Sequence, residues 1–229
     1  MALAPDRRRG DVILGVTVVL LTAWTIGRGQ FVPAQWHLAT NVAVGVLVGV
    51  LGWRAELDAD ELGLLRRHLG AGLRYGGAVL GIVALGLTLV AALPATRGFL
   101  ENPVTDVGAA SMVFTVFVSI PFGTVLLEEL AFRGTLLALL RRRLDTRGAV
   151  AVCSVLFGLW HVSGVVRGAA DDATTLAVIG AVIGTVVTTT VAGVGFCWLR
   201  LRSGSLAAPA LAHIATNSLT FAAAWAVVR

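Results

Sequence analysis

Apolar residues along this chain fall into seven long runs, at about 11–27, 38–53, 75–94, 111–132 (continuing to Leu140), 149–166, 174–199 and 206–228. Roughly 17–25 such residues carry an α-helix across a bilayer, so each run reads as a membrane span. The longest polar connection is about twenty residues, too short to hold a soluble domain. Gly and other small residues recur inside the runs, as close helix packing in lipid requires. The pattern predicts an all-α fold, a polytopic transmembrane helix bundle of about seven spans forming one integrated membrane domain. Residues 1–110 hold the first three spans and 111–229 the other four.

Composition agrees with the pattern. Of 229 residues, 57% are hydrophobic and 14% charged, where a soluble domain carries about 25% charge. Cys153 and Cys197 lie inside apolar runs and read as small core residues. All 18 basic residues are arginine, and the net charge is +5. The arginines are spread through the connections and form no basic patch interleaved with aromatics. They argue against nucleic acid and for anionic lipid headgroups as the partner.

The arginines also set an orientation. Thirteen of them fall at the N-terminus (Arg7 to Arg9) and in alternate connections: Arg54, Arg66, Arg67 and Arg74, then Arg141, Arg142, Arg143 and Arg147, then Arg200 and Arg202. Arg28, Arg97, Arg167 and Arg229 fall on the opposite side. The positive-inside bias predicts a multi-pass cell-membrane protein with a cytoplasmic N-terminus and an external C-terminus. The first span resembles a signal peptide. Pro33 beside the would-be cleavage point and the second span close behind predict that it is retained as an anchor.

Residues 58–74, DADELGLLRRHLGAGLR, form a further element. Leu62, Leu65, Leu69 and Leu73 share a helical face, and Asp58 with Glu61 has capping-box spacing. The expectation is an amphipathic helix on the cytoplasmic surface.

Within the spans, ionisable groups are scarce and costly, since a carboxylate at mid-bilayer costs roughly 2.5–3.5 kcal/mol even on the lenient insertion scale. Glu128 and Glu129 are in the fourth span, His161 in the fifth, and His213 and Asn217 in the seventh. Adjacent residues are about 100° apart on a helix, so the two glutamates are not expected to enter one pocket equally. Arg133 follows Glu129 by four residues, the favourable order for an ion pair, which leaves Glu128 free for chemistry. Phe157 and His161 share a face, as do His213 and Asn217. Counted from the arginine-rich ends of their helices, Glu128, His161 and His213 lie at similar depths of roughly 12–18 Å. A cluster that only packs helices together is the plain alternative.

These groups suit hydrolysis of a peptide bond. A carboxylic group in a dry site can take a proton from water and return it to a leaving amine, while a neighbouring histidine orients that water. A His and Asn pair offers N–H donors to the oxyanion of a tetrahedral intermediate. Glu128, His161 and His213 are also a candidate ligand set for a divalent metal such as zinc. No H-E-x-x-H occurs, and no G-x-S-x-G supports serine chemistry.

The residues EELAFR (Glu128 to Arg133), FGLWH (Phe157 to His161) and HIATN (His213 to Asn217) resemble the E-E-x-x-x-R, F-x-x-x-H and H-x-x-x-N motifs of the CAAX protease and bacteriocin-processing family, which includes the type II CAAX prenyl endopeptidases. The resemblance spans roughly 115–225, inside the 111–229 half, which it marks as a catalytic helix core. It implies a membrane endopeptidase with a cavity opening toward the cytoplasm and a membrane-anchored peptide or protein as substrate. Carried over, Glu128 and His161 activate water, and His213 with Asn217 holds the oxyanion. Glu129, Arg133 and Phe157 support the site. The family is classed with the metallopeptidases, and a metal-independent glutamate mechanism has also been argued. Two other classes compete. One is a non-catalytic bacteriocin-immunity or scaffold protein on the same fold; the other is a small transporter with a Glu/His proton relay, which would favour internal repeats that the chain lacks.

Overall fold

A computed structural model describes residues 7–101, 105–169 and 173–229. Among them are seven helices long and apolar enough to span a membrane: α1 Arg7–Phe31, α2 Ala34–Arg54, α3 Arg66–Ala92, α4 Ala109–Arg141, α5 Thr146–Gly168, α6 Thr175–Ser203 and α7 Ala207–Val227. Each matches an expected run, and most extend it by several residues, because terminal turns tolerate polar residues that reach the interface. No strand occurs among the described residues. Asp145 caps α5 by accepting from the Gly148 N–H at 2.9 Å, and Thr174 caps α6 through Ala177 N–H at 3.3 Å.

α4 is the central helix. Its Leu127, Ala131, Phe132 and Leu136 pack with Val48 of α2, Cys153 and Phe157 of α5, Phe196 and Cys197 of α6, and Ala208 and Ala212 of α7. Close approach depends on small residues. A Cβ on Gly158 would collide with the Thr190 hydroxyl and sit 2.8 Å from the Val186 carbonyl, so α5 and α6 touch there backbone to backbone. Gly76 does the same for α3 against α7.

The arginine-bearing connections gather at one end of the bundle. Arg143 pairs with Asp11, and Arg9 with Glu56 at 3.2 Å. Arg142 pairs with both carboxylate oxygens of Glu61, at 2.7 and 2.6 Å, and donates to the carbonyls of Ala55 and Glu56. At the other end Arg97 donates to the Val227 carbonyl and Trp225 to that of Val107. The grouping of alternate connections inferred from charge is therefore the grouping of the fold.

The amphipathic helix expected over 58–74 does not form. Its capping box does: Glu61 N–H donates to Asp58 Oδ1 at 2.8 Å, and Asp58 N–H donates to Glu61 Oε2 at 3.0 Å. The turn it opens stops at Gly63, whose φ is +74°, a conformation costly for residues with a Cβ. Arg200 Nη2 then takes the Asp60 and Glu61 carbonyls at 2.8 and 2.9 Å, groups a helix would need for itself. Residues 55–65 form a strap instead, with Ala55, Leu57 and Leu62 packed on Ala138 and Leu139 of α4. From Arg66 onward the expected element is the start of α3.

Candidate active site

Every in-span acid and base named from the sequence lies on α4, α5 or α7, and the bundle brings most of them together. Arg133 has no exposed surface. Its Nη1 donates to Glu129 Oε1 at 3.0 Å, the expected i, i+4 pair. The guanidinium carbon lies 4.0 Å from the centroid of Phe157 and 4.9 Å from that of Phe196, so two ring faces compensate part of its lost hydration.

Glu129 Oε1 also meets His213 Nδ1 at 2.8 Å. His213 Nε2 lies 3.8 Å from Glu128 Oε2. Both glutamates thus address one imidazole, contrary to the expectation that their 100° separation sends them apart. An imidazole presents nitrogens in two directions, and α4 is π-helical from Glu129 to Leu136, which reduces the angle between successive residues. His213 is stacked on Phe196 at 5.0 Å between centroids and meets Phe157 edge-on at 5.9 Å. Glu128 Oε1 accepts from the Trp160 indole N–H at 3.0 Å. Glu128 Oε2 is buried and makes no hydrogen bond.

His161 and Asn217 stand further out. α5 breaks at His161 and resumes at Val162, leaving the histidine half-buried. Its Nδ1 donates to the Phe157 carbonyl at 2.8 Å, which leaves Nε2 as the free acceptor. Asn217, expected to be buried beside His213, is half-buried, and its Oδ1 accepts from Thr216 at 3.5 Å. Asn217 lies inside the π segment Ala215–Leu219, one turn beyond His213. Among the described residues no group of three or more His, Cys, Asp or Glu side chains is placed to hold a metal ion. The Nδ1 bond of His161 leaves its Nε2 open to a ligand, as a metal-binding histidine requires, but Glu128, His161 and His213 are not gathered into one such group.

Sequence reasoning passed over several contributors. Trp160 lies inside the quoted FGLWH stretch, yet its indole is the hydrogen-bond donor to Glu128. Phe196 sits in a plain apolar run with no signal. Asn41, a lone amide in the second span, did give one: it accepts from Trp24 at 2.9 Å and donates to the Gly123 carbonyl, tying α1 and α2 to α4. Arg28, counted with the opposite connections, is a half-buried α1 residue within electrostatic range of Glu128.

Residues 109–219 match the family described as Type II CAAX prenyl endopeptidase Rce1-like, and all seven site residues fall within that stretch. This core belongs to that family. The match points to a CAAX-type protease, and the seven spanning-length helices support a multi-pass membrane protein. No curated protein and no solved structure is matched. α1 to α3, the strap, Trp24, Arg28 and Asn41 lie outside the matched Rce1-like stretch. A cavity of about 520 Å³ runs beside this core between α1 and α5, with Trp160 and Phe132 in its wall and Gln30 and Arg167 at the arginine-poor end. The opening implied by the family resemblance was at the other end, where the strap packs over α4.

Proposed function

We propose that the chain hydrolyses peptide bonds of membrane-anchored peptides or proteins, with Glu128 as the base. The observation that carries this reading is one buried imidazole held by Glu129 and facing the unpartnered Oε2 of Glu128 at 3.8 Å. In this proposal both ring nitrogens of His213 carry hydrogens, Nδ1 toward Glu129 and Nε2 toward Glu128 Oε2, and Glu128 is the proton acceptor.

In the proposed reaction, water forms a C–O bond to the scissile carbonyl carbon while its proton passes to Glu128 Oε2. His161, with Nδ1 fixed on the Phe157 carbonyl, presents Nε2 to the same water. The carbonyl oxygen becomes an oxyanion, met by His213 Nε2–H and by the amide NH2 of Asn217. Collapse breaks the C–N bond as Glu128 returns its proton to the leaving amine. Trp160 holds the other oxygen of Glu128 and so aims the base. No step is assigned to a metal, since the donor set does not converge on one. The arginine-rich end is placed in the cytoplasm on the charge bias.

The test compares newly formed protein termini in cells carrying the wild type and Glu128→Gln at equal membrane levels. Glutamine keeps the acceptor for Trp160 but is no base, so the substrate termini are expected to vanish. If no termini differ and both proteins rescue a deletion phenotype equally, a scaffold or immunity role replaces hydrolysis.

A further inference from the structure

α5 begins and α6 ends at the arginine-rich end, and between them lies a groove of about 570 Å³. Arg147 and Arg202 stand at its rim with Thr146, and Val150, Val194 and Trp198 line it. Val194 and Trp198 are about half exposed on spanning helices, at 45% and 55%, so the groove opens on the flank that faces lipid. Trp198 is held edge-on by Tyr75 at 6.2 Å.

The two rim arginines differ from three others at this end. Arg142, Arg143 and Arg200 are tied to carboxylates or carbonyls. Among the described residues Arg147 and Arg202 make no hydrogen bond or ion pair. The adjacent acid, Asp145, is turned to its own helix, where Oδ1 accepts from Gly148 N–H. Two uncompensated guanidinium groups thus sit where a helix meets the headgroup layer, above an apolar channel with a tryptophan at the interface.

We propose that this groove binds one anionic phospholipid, its phosphate between Arg147 and Arg202 and one acyl chain along Val150, Val194 and Trp198. Guanidinium groups pair with phosphate oxygens in bidentate fashion, and the Thr146 hydroxyl adds a donor. A zwitterionic headgroup brings its own cation to two arginines and is the poorer fit. An apolar partner helix leaves both charges unmatched. The lipid bridges α5, which carries Phe157, Trp160 and His161, to α6, which carries Phe196, and braces that pair. The site is independent of the peptidase reading.

The experiment is native mass spectrometry of the full chain in mild detergent with equimolar phosphatidylglycerol and phosphatidylcholine. Two arginines on an anionic headgroup yield a preference on the order of tenfold to thirtyfold for phosphatidylglycerol. Arg147→Gln with Arg202→Gln is expected to abolish it, whereas Arg66→Gln with Arg74→Gln, at the same end, keeps it. Val194→Trp retains both arginines but fills the chain channel, and is expected to abolish it too. Retention by the first double variant overturns the proposal, as does equal loss in the second, which means net charge alone. Displacement of the lipid by free glycerol phosphate also overturns it, since that places the headgroup in the site without a chain.

Discussion

Arg133 shows how one side chain organises the site. It is fully buried, and only one of its donors reaches a carboxylate; its Nε and Nη2 find no acceptor and lie among ring faces. Removing it strips Glu129 of its guanidinium partner and leaves an excess buried negative charge, which costs about 3–5 kcal/mol, while removing both charges costs far less. Arg133→Met should therefore lower the melting temperature sharply in detergent, and adding Glu129→Gln should restore most of the loss. A double variant no more stable than the single would mean that the guanidinium acts through packing. The Glu129–Arg133 pair was readable because helix spacing alone fixes it. The partner of His213 was not, since spacing within α7 says nothing about which face α4 turns toward it. Asn217 was expected to be buried and is half-buried, because cover comes from neighbouring helices and not from spacing within α7.

At the scale of elements, the glycines divide into those that set helix spacing and those that only face lipid. Gly76 and Gly77 are neighbours on α3. A Cβ on Gly76 would lie 2.7 Å from Leu211 Cβ and 2.9 Å from the Ala208 carbonyl of α7, whereas one on Gly77 meets nothing within 4 Å. Gly76→Leu should push α7, and His213 with it, away from α3, with a loss of about 1–3 kcal/mol by thermal unfolding and a matching fall in activity. Gly77→Leu should stay within about 0.5 kcal/mol. Equal effects at both would show that intrinsic helix propensity, and not the α3–α7 contact, decides. All seven spans were legible from run length, which is a local property. The strap over 55–65 was not: its leucine spacing and capping box are helical signals, and what overrides them is Arg200, 140 residues from Asp60 along the chain.

For the whole molecule, the division of arginines sets which compartment receives any product. The cluster of Arg7 to Arg9, Arg142, Arg143 and Arg200 sits at one end, joined by ion pairs and carbonyl contacts. Glu128 lies 13 residues before the end of α4 at that side, roughly 20 Å along the axis. Charges that stay with the cytoplasmic leaflet during insertion orient the bundle, so this end is expected inside. The native cysteines give a quiet background for a direct check, because Cys153 and Cys197 are both fully buried. Arg66→Cys places a thiol in the exposed start of α3, and Phe99→Cys places one at the opposite end, where Phe99 is 86% exposed. A membrane-impermeant maleimide added to intact cells should label Phe99→Cys and spare Arg66→Cys until the membrane is opened. The reverse pattern would put the strap outside and invert the path by which a substrate reaches Glu128. Labelling of both thiols in intact cells would mean that the bundle inserts in two directions, and the arginine bias would then be too weak to orient it.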